Sequence, residues 1–296
     1  MKRIAIMLVG LVCVLGLSAA EETGTQAGSK GSIYLQNDLI QVKIWEDYYP
    51  YSELKYNDGG TWVENILYIY ISLFDGTDGR TYSLSSTLAP YLDLYVGWQE
   101  IGSDPYKVVT ATFADSYDNP QVFTLTATIS MNGDGTKGIL SCFDITNLAK
   151  NKTMNNVKLY MWGLLYLCDT NNNHQTAYDA GNGVFYAYNN TDDPNLWYGL
   201  HSDTGYDMHY YGAFYASGHM PHIEYINGPY EGQNFPDIVE STPGRQRAGW
   251  NWDIGAVGAK ATVPICVAMA TGTSLSDLET ALVNIVPVEL LDFQAD

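Results

Sequence analysis

The chain has 296 residues and is strongly acidic, with 33 Asp and Glu residues against 14 Lys and Arg residues and a formal net charge of −19. Nucleic acids and anionic lipids are bound through Lys and Arg, so this balance argues against both as partners and suits a soluble surface, a cationic partner or Ca²⁺. The length is enough for one large all-β domain or two small ones.

The N-terminus predicts export. Lys2 and Arg3 precede an apolar run over residues 4–17 that ends in small residues. This pattern predicts a signal peptide over residues 1–20, followed by a flexible leader over residues 21–31. The run is shorter than the roughly 20 residues that a membrane span needs, although an uncleaved anchor is the alternative. No second apolar stretch approaches that length, so the mature chain is expected to be secreted or at the cell surface, without a membrane span.

Residues 32–296 are predicted to form a single all-β domain. Short runs rich in Val, Ile, Thr, Tyr and Phe alternate with turn residues, such as Asn37-Asp38 and the segments 118–120 and 132–138. Strand signals recur at short spacing without a long helical period between them. This pattern favours an antiparallel β-sandwich over a parallel α/β sheet.

The end of the chain has a different pattern. Apolar residues occur at helical spacing at Leu275, Leu278, Leu282 and Ile285. Ser274 followed three residues later by Asp277 resembles a capping box, so one short C-terminal helix is predicted here. The segment 286–296, "VPVELLDFQAD", predicts an extended edge strand that could pair with a neighbouring subunit.

Two segments carry a family resemblance. The strand, turn and return strand of "CFDITNLAKNKTMNNVKLYMW", and the closing strands with "GTSLSDLETAL", resemble exported bacterial surface proteins of β-sandwich or super-sandwich type. Their layout is similar to the galactose-mutarotase-like fold. The closing "PVEL" is similar to a segment near the C-terminus of many exported bacterial proteins. The resemblance implies a fold and no catalytic residue.

The segment 169–244 is the predicted location of a site. All five histidines lie between Lys158 and Arg245, and the interval between these two residues contains no Lys or Arg. We expect an ordered face built from loops, because abundant aromatic residues argue against disorder and long loops in compact domains are usually functional. The candidate ligand-binding residues are Trp197, Tyr198, His209, Tyr210, Tyr211, His222, Glu224 and Trp250. Of these, Trp250 could instead be a core residue on one face of a strand.

A transition-metal site is the weaker interpretation of the histidines. His219 and His222 with Glu224 could supply ligands. However, Pro221 is expected to prevent a helix from presenting the two histidines on one face, and in an extended chain they point to opposite sides. Neutral histidines hydrogen-bonded among tyrosines are therefore the favoured interpretation.

Calcium is another possible ligand of this segment. Asp169, Asn171 and Asn173 occupy alternate positions, with Asp179 further along. Their oxygen atoms are the ligands that Ca²⁺ prefers, although the loop is not an EF-hand. Asn-rich turns that hydrogen-bond their own backbone remain the alternative.

The cysteines suggest little. Cys142, Cys168 and Cys266 are widely spaced, and the chain contains no C-x-x-C pair. Buried thiols are the ordinary expectation, and one disulfide among the three is possible in an exported protein.

Enzyme signatures such as G-x-S-x-G, a P-loop or H-E-x-x-H do not occur. The favoured function is therefore an exported structural, assembly or adhesive component of the cell surface, without enzymatic activity. The alternative is a carbohydrate-binding or carbohydrate-active module, a glycosidase or a lyase, that uses the aromatic segment 169–244.

Overall fold

A computed structural model describes residues 32–45, 49–84, 92–115, 121–169, 173–189, 191, 195–202, 204–214 and 221–285. The predicted signal peptide and leader over residues 1–31, and the predicted edge strand over residues 286–296, lie outside this part of the chain. Among the described residues, no helix combines the length and hydropathy needed to cross a bilayer.

The first of two sheets has eight strands. They are β1 (Ser32–Gln36), β2 (Ile40–Trp45), β3 (Tyr49–Asp58), β4 (Thr61–Asp75), β5 (Arg80–Ser83), β10 (Met154–Leu165), β14 (Asp207–Phe214) and β15 (Gln246–Val257). Their order is β1-β2-β3-β4-β10-β15-β14, with β5 paired to β4. Every pairing is antiparallel.

The second sheet also has eight strands. They are β6 (Leu92–Ile101), β7 (Val108–Asp115), β8 (Phe123–Ser130), β9 (Gly138–Asn147), β11 (Gln175–Asp179), β12 (Val184–Asn189), β13 (Leu196–His201) and β16 (Thr262–Gly272). Their order is β11-β12-β13-β16-β9-β8-β7-β6, again fully antiparallel. The predicted all-β, antiparallel sandwich is confirmed.

The core lies between the two sheets. Strand alternation sends every second side chain inward, and Leu159, Met161 and Trp250 of the first sheet share one buried cluster with Phe143 and Val267 of the second. All five are fully buried. The outer faces of both sheets are thereby left for other elements to cover.

Helix α2 (Leu275–Ile285) covers part of the outer face of the second sheet. The predicted start is confirmed, because Ser274 Oγ accepts a hydrogen bond from the Asp277 N–H at 3.2 Å. Asp277 in turn accepts from Lys137 Nζ at 2.6 Å, which joins the start of the helix to the turn before β9.

Two glycines of the second sheet lie directly beneath α2. A Cβ added to Gly199 would lie 2.7 Å from the side chain of Leu278, and one on Gly138 would lie 2.3 Å from the side chain of Ile285 and 2.2 Å from the Met269 carbonyl oxygen. These distances are far below van der Waals contact, so the close approach of helix and sheet depends on the missing side chains.

A second helix, α1 (Pro221–Asn227), lies in the segment that the sequence analysis assigned to loops. Pro221 was expected to prevent one helix from presenting His219 and His222 together, and α1 begins at Pro221, so that only His222 lies within it. Proline suits this first helical position, because its missing N–H costs nothing there. The segment 169–244 also contains β11, β12, β13 and β14. Much of the described part of this segment is therefore regular structure and not a set of long loops.

One edge of the sandwich is closed by the chain itself. The segment after α1 runs between the edge strands β14 and β11, where the Gly212 N–H donates to the Ile238 carbonyl at 2.8 Å and the Thr176 N–H donates to the Glu240 carbonyl at 3.0 Å. Backbone groups that would otherwise be free at both edges are thus hydrogen-bonded, which protects the edges from pairing with other chains.

A disulfide joins Cys142 of β9 to Cys266 of β16. The two residues are direct cross-strand partners, although 124 positions separate them in the sequence. Both are partly exposed, on the outer face of the second sheet. The sequence had left open which cysteines pair.

Candidate functional site

Strand alternation in β14 divides the predicted aromatic site between two surfaces. Tyr211 contacts Trp162 and Phe235 on the outer face of the first sheet, whereas Tyr210 packs against the main core. His209 lies opposite Asn251 in the sheet and faces outward like Tyr211. We call the outward-facing group the His209 surface, and its members are His209, Tyr211, Glu224, Tyr225, Tyr230, Asn234, Asp237 and Asp253.

Aromatic rings form one half of the His209 surface. Helix α1 places Tyr225 over the sheet, with ring centroids 6.2 Å from Tyr211, 5.2 Å from Tyr230 and 5.1 Å from Phe235. Tyr230 is 43% exposed. Burial raises the pKa values of Tyr211 and Tyr225, and the nearby Glu224 carboxylate adds to this. The phenols therefore stay neutral and can donate hydrogen bonds.

A histidine–carboxylate pair lies beside the rings. His209 Nδ1 is 3.0 Å from Asp237 Oδ2, and Asp237 Oδ1 accepts a hydrogen bond from the Tyr210 N–H at 3.1 Å. Asp237 holds a positive φ of 56°. One carboxylate thus fixes both the imidazole orientation and the path of the chain after α1.

A second carboxylate is held from below by a buried lysine. Lys158 of β10 is 4% exposed, and its Nζ lies 2.7 Å from Asp253 Oδ2. Asn234 donates to the same carboxylate oxygen at 3.2 Å. Burial alone would raise the pKa of Asp253, but the hydrogen bonds from Lys158 and Asn234 and the charge of Lys158 outweigh it and lower the pKa.

Asn251 connects the sheet to the segment after α1. Its Oδ1 accepts from the Phe235 N–H at 2.7 Å, and its Nδ2 donates to Asn234 Oδ1 at 3.0 Å. Asn251 therefore connects Asp253, through Asn234, to the backbone at Phe235 in one hydrogen-bond network. This network pre-arranges the polar groups before any ligand arrives.

The chemistry that this arrangement supports is recognition by hydrogen bonds and ring contacts. A carboxylate-oriented imidazole can act as a general base. A glycosidase also needs a carboxylic acid with a raised pKa, whereas the pKa of Asp253 is lowered and its charge is paired with Lys158. Asp253 is therefore not suited to the acid role of a glycosidase.

The other predicted ligand-binding residues lie elsewhere. Tyr198 and Trp250 are fully buried in the core, so neither can contact a ligand directly. Tyr210 stacks on Tyr178 of β11 at 4.3 Å, between the two sheet edges. Trp197 lies on the outer face of the second sheet and stacks on Tyr188 at 4.6 Å. The side chain of His222 lies outside the described residues.

The described histidines do not converge. His174 is fully buried, with Nε2 3.4 Å from the Leu167 carbonyl oxygen. His201 Nδ1 lies 3.3 Å from the Gly183 carbonyl oxygen. His201 belongs to the second sheet, whereas His209 belongs to the first. Among the described residues, no group of three or more His, Cys, Asp or Glu side chains could hold a metal ion.

The candidate calcium ligands are spread along β11. Asp169 ends a short 3₁₀ turn and Asn173 precedes the strand, whereas Asp179 lies at its far end. The five residue steps from His174 to Asp179 span about 17 Å of extended chain. The Asp179 carboxylate accepts from the Gly181 N–H at 2.8 Å and from Asn182 at 2.9 Å. Asn171 lies outside the described residues, and calcium binding stays a prediction.

Three residues of the His209 surface, Asn234, Asp237 and Asp253, were not predicted from the sequence. One usable signal was present in "WNWD" at residues 250–253: if the tryptophans face the core, alternation places Asn251 and Asp253 on the outer face. No comparable signal identified Asp237, which meets His209 from 28 positions away through a turn without a motif.

No protein-family model matches the sequence, and no curated protein matches it significantly. Several solved structures have a similar fold. A bacterial glucoamylase complexed with acarbose is 11% identical, with a TM-score of 0.54 over 88% of this chain and 36% of that chain. A TPR-domain containing protein from Parabacteroides distasonis is 12% identical, with a TM-score of 0.50 over 84% of this chain and 48% of that chain.

A galactose mutarotase-like protein from Lactobacillus casei is 12% identical, with a TM-score of 0.46 over 82% of this chain and 100% of that chain. The chain spans 36% and 48% of the lengths of the first two proteins. At such identities the likeness concerns the fold alone.

Proposed function

We propose that this chain is an exported carbohydrate-binding β-sandwich domain whose glycan contact is the His209 surface. The observation that carries the proposal is the layer of half-buried tyrosine rings beside polar groups that are already fixed in place. Sugars present apolar C–H faces and many hydroxyl groups, which suit a surface of this composition. Binding sites typically combine apolar and aromatic contacts with a few oriented polar groups.

The charges of the His209 surface indicate the class of glycan. Glu224, Asp237 and Asp253 supply carboxylates, and the only described cation beneath them, Lys158, is buried and paired with Asp253. The chain as a whole carries a net charge of −19. Acidic polysaccharides would be repelled, so the proposed ligand is a neutral polysaccharide.

Export is part of the proposal. The N-terminal pattern motivates it, and the Cys142–Cys266 bond supports it, because disulfides persist in oxidising compartments and are rare in the cytosol. The first similar structure is named as a glucoamylase complexed with acarbose. That name describes the other protein, so the proposal for this chain rests on the geometry of the His209 surface.

The test is affinity electrophoresis and calorimetry against soluble neutral and acidic polysaccharides. We expect retention on at least one neutral polymer, and a loss of about tenfold in affinity, or about 1.4 kcal/mol, for Tyr230→Ala and for Asp237→Ala. Tyr106→Ala is the matched control, because Tyr106 is 66% exposed in the loop between β6 and β7. No retention on any neutral polymer, or an equal loss in Tyr106→Ala, would contradict the proposal.

A second candidate function is assembly by strand addition. β6 is the terminal strand of the second sheet, and no described segment pairs with its outer side. Its side chains Tyr95 and Ile101 are 62% and 58% exposed. An edge of this kind accepts an added strand.

The segment 286–296 is the proposed donor strand for this assembly. Deleting it should lower the molecular mass measured by light scattering from that of an oligomer to that of a monomer. A parent chain that is already monomeric at high concentration would contradict the assembly function and leave carbohydrate binding untouched.

A further inference from the structure

The turn between β9 and β10 presents an asparagine in a modification motif. Asn151, Lys152 and Thr153 spell N-K-T, and all three are exposed. The sequence N-x-S/T is the acceptor motif of N-linked glycosylation in exported proteins, provided that x is not proline. The turn therefore carries an acceptor amide on the surface.

A buried residue holds this turn in place. The Asn147 side chain is fully buried. Its Nδ2 donates to the carbonyls of Lys152 at 2.8 Å and Val257 at 2.9 Å, and its Oδ1 accepts from the Ala149 N–H at 2.9 Å. These bonds fix both ends of the turn, and Asn151 is exposed between them.

The chain contains a second motif of the same kind, which serves as an internal comparison. Asn189, Asn190 and Thr191 spell N-N-T. Asn189 is fully buried, and its Oδ1 accepts hydrogen bonds from the Thr191 N–H at 3.1 Å and from the Thr191 hydroxyl at 3.0 Å. A glycan on this amide could not coexist with the folded end of β12.

We infer that Asn151 is an N-glycosylation site and that Asn189 is not. In this reaction the Nδ2 of Asn151 forms a bond to the anomeric carbon of an oligosaccharide carried on a polyprenyl diphosphate. The bond between that carbon and the diphosphate oxygen breaks, the amide nitrogen loses one proton, and the polyprenyl diphosphate leaves. The inference goes beyond carbohydrate binding, because here the glycan is attached to the protein.

The test is secretion of the full chain behind an added, proven leader from cells that perform N-glycosylation, so that failure of the chain's own leader does not affect the result. We expect one glycan, removable by peptide-N-glycosidase, which leaves Asp at position 151 in the peptide map. Asn151→Gln and Thr153→Ala should each abolish the electrophoretic shift, whereas Thr153→Ser should retain it. Thr191→Ala is the matched control and should change nothing.

Two outcomes would overturn the inference: secreted, folded protein with an unmodified Asn151, or folded protein that carries a glycan on Asn189. Folding is checked in each case by the circular dichroism melt of the secreted material. The polysaccharide-binding assay is run on the same samples, so that loss of the modification and loss of binding are measured separately.

Discussion

The outer faces of the two sheets are completed in different ways. On the second sheet, α2 packs on glycines and alanines, and neighbouring strands carry threonine pairs such as Thr112 and Thr126, whose hydroxyls are 3.0 Å apart. On the first sheet, α1 packs on aromatic rings beside the ionisable groups of the His209 surface. The two helices therefore differ: α2 joins its sheet by close steric fit, whereas α1 lies beside a group of ionisable side chains.

The largest expected effect is on the face closed by steric fit. Gly138→Ala places a Cβ 2.2 Å from a backbone oxygen beneath α2, and we expect a loss of about 3 kcal/mol in the free energy of unfolding. Polysaccharide affinity should be unchanged at temperatures where the variant is folded. Urea denaturation provides the measurement. Gly97→Ala is the control, since an added Cβ there meets nothing within 4 Å.

The next effect concerns the ion pair beneath the His209 surface. Asp253→Asn leaves the buried Lys158 ammonium without its carboxylate, and we expect a loss of about 2 kcal/mol in unfolding free energy, reduced because Asp253 is itself partly exposed. Lys158→Met combined with Asp253→Leu should recover most of it. Asp207→Asn, an exposed neighbour of Asp253 across the strands, is the control. Equal stability of Asp253→Asn and Asp207→Asn would show that the pair is not structural.

Acid should weaken both faces. The pKa values of Asp253 and Asp277 are lowered from 3.8, because burial, which raises them, is outweighed by hydrogen bonds that include those from Lys158 and Lys137. For a lowered folded-state pKa, the stabilisation is complete above about pH 5 and is lost as the pH falls through the folded pKa. Melting temperature measured from pH 6 to pH 3 should therefore fall less in Asp277→Asn than in the parent chain. Parallel curves would contradict this.

Tyr230→Ala is expected to have the smallest effect on stability, and it tests most directly whether the two faces differ in role. Tyr230→Ala removes a ring that is 43% exposed, and its unfolding free energy should stay within about 0.5 kcal/mol of the parent. Affinity for the neutral polysaccharide should nevertheless fall. If stability and affinity fell together, Tyr230 would be a packing residue, and the two faces would not differ in role.

Much of the fold could be predicted from local pattern. The break at Asn37-Asp38, the turn before β9 and the helix that begins after Ser274 are encoded within a few residues, and all are confirmed. Helix α1 was not predicted, because Pro221 was considered only as an obstacle to one helix carrying both His219 and His222, whereas the same residue is favourable at a first helical position. Local pattern shows which residue types favour or oppose a helix, but the position of a residue within the helix decides whether it is tolerated there.

The candidate site was only partly predictable. His209, Tyr211 and Glu224 were identified from composition and do lie on one surface. Tyr198 and Trp250 have the same aromatic character but are buried, because the sequence does not state which face of a strand meets the other sheet. Asp237 depends on a turn that brings distant residues together, and only the tertiary structure contains that information.

The cross-strand disulfide determines what a single protease cut would do to the chain. Cys142 and Cys266 enclose the whole stretch of chain that builds the His209 surface, from β10 through α1 to β15. A single cut anywhere inside this covalent ring would yield two fragments still tied together by sulfur. An exposed loop of that surface could therefore be cut by a protease without separating the pieces, until a reductant arrived.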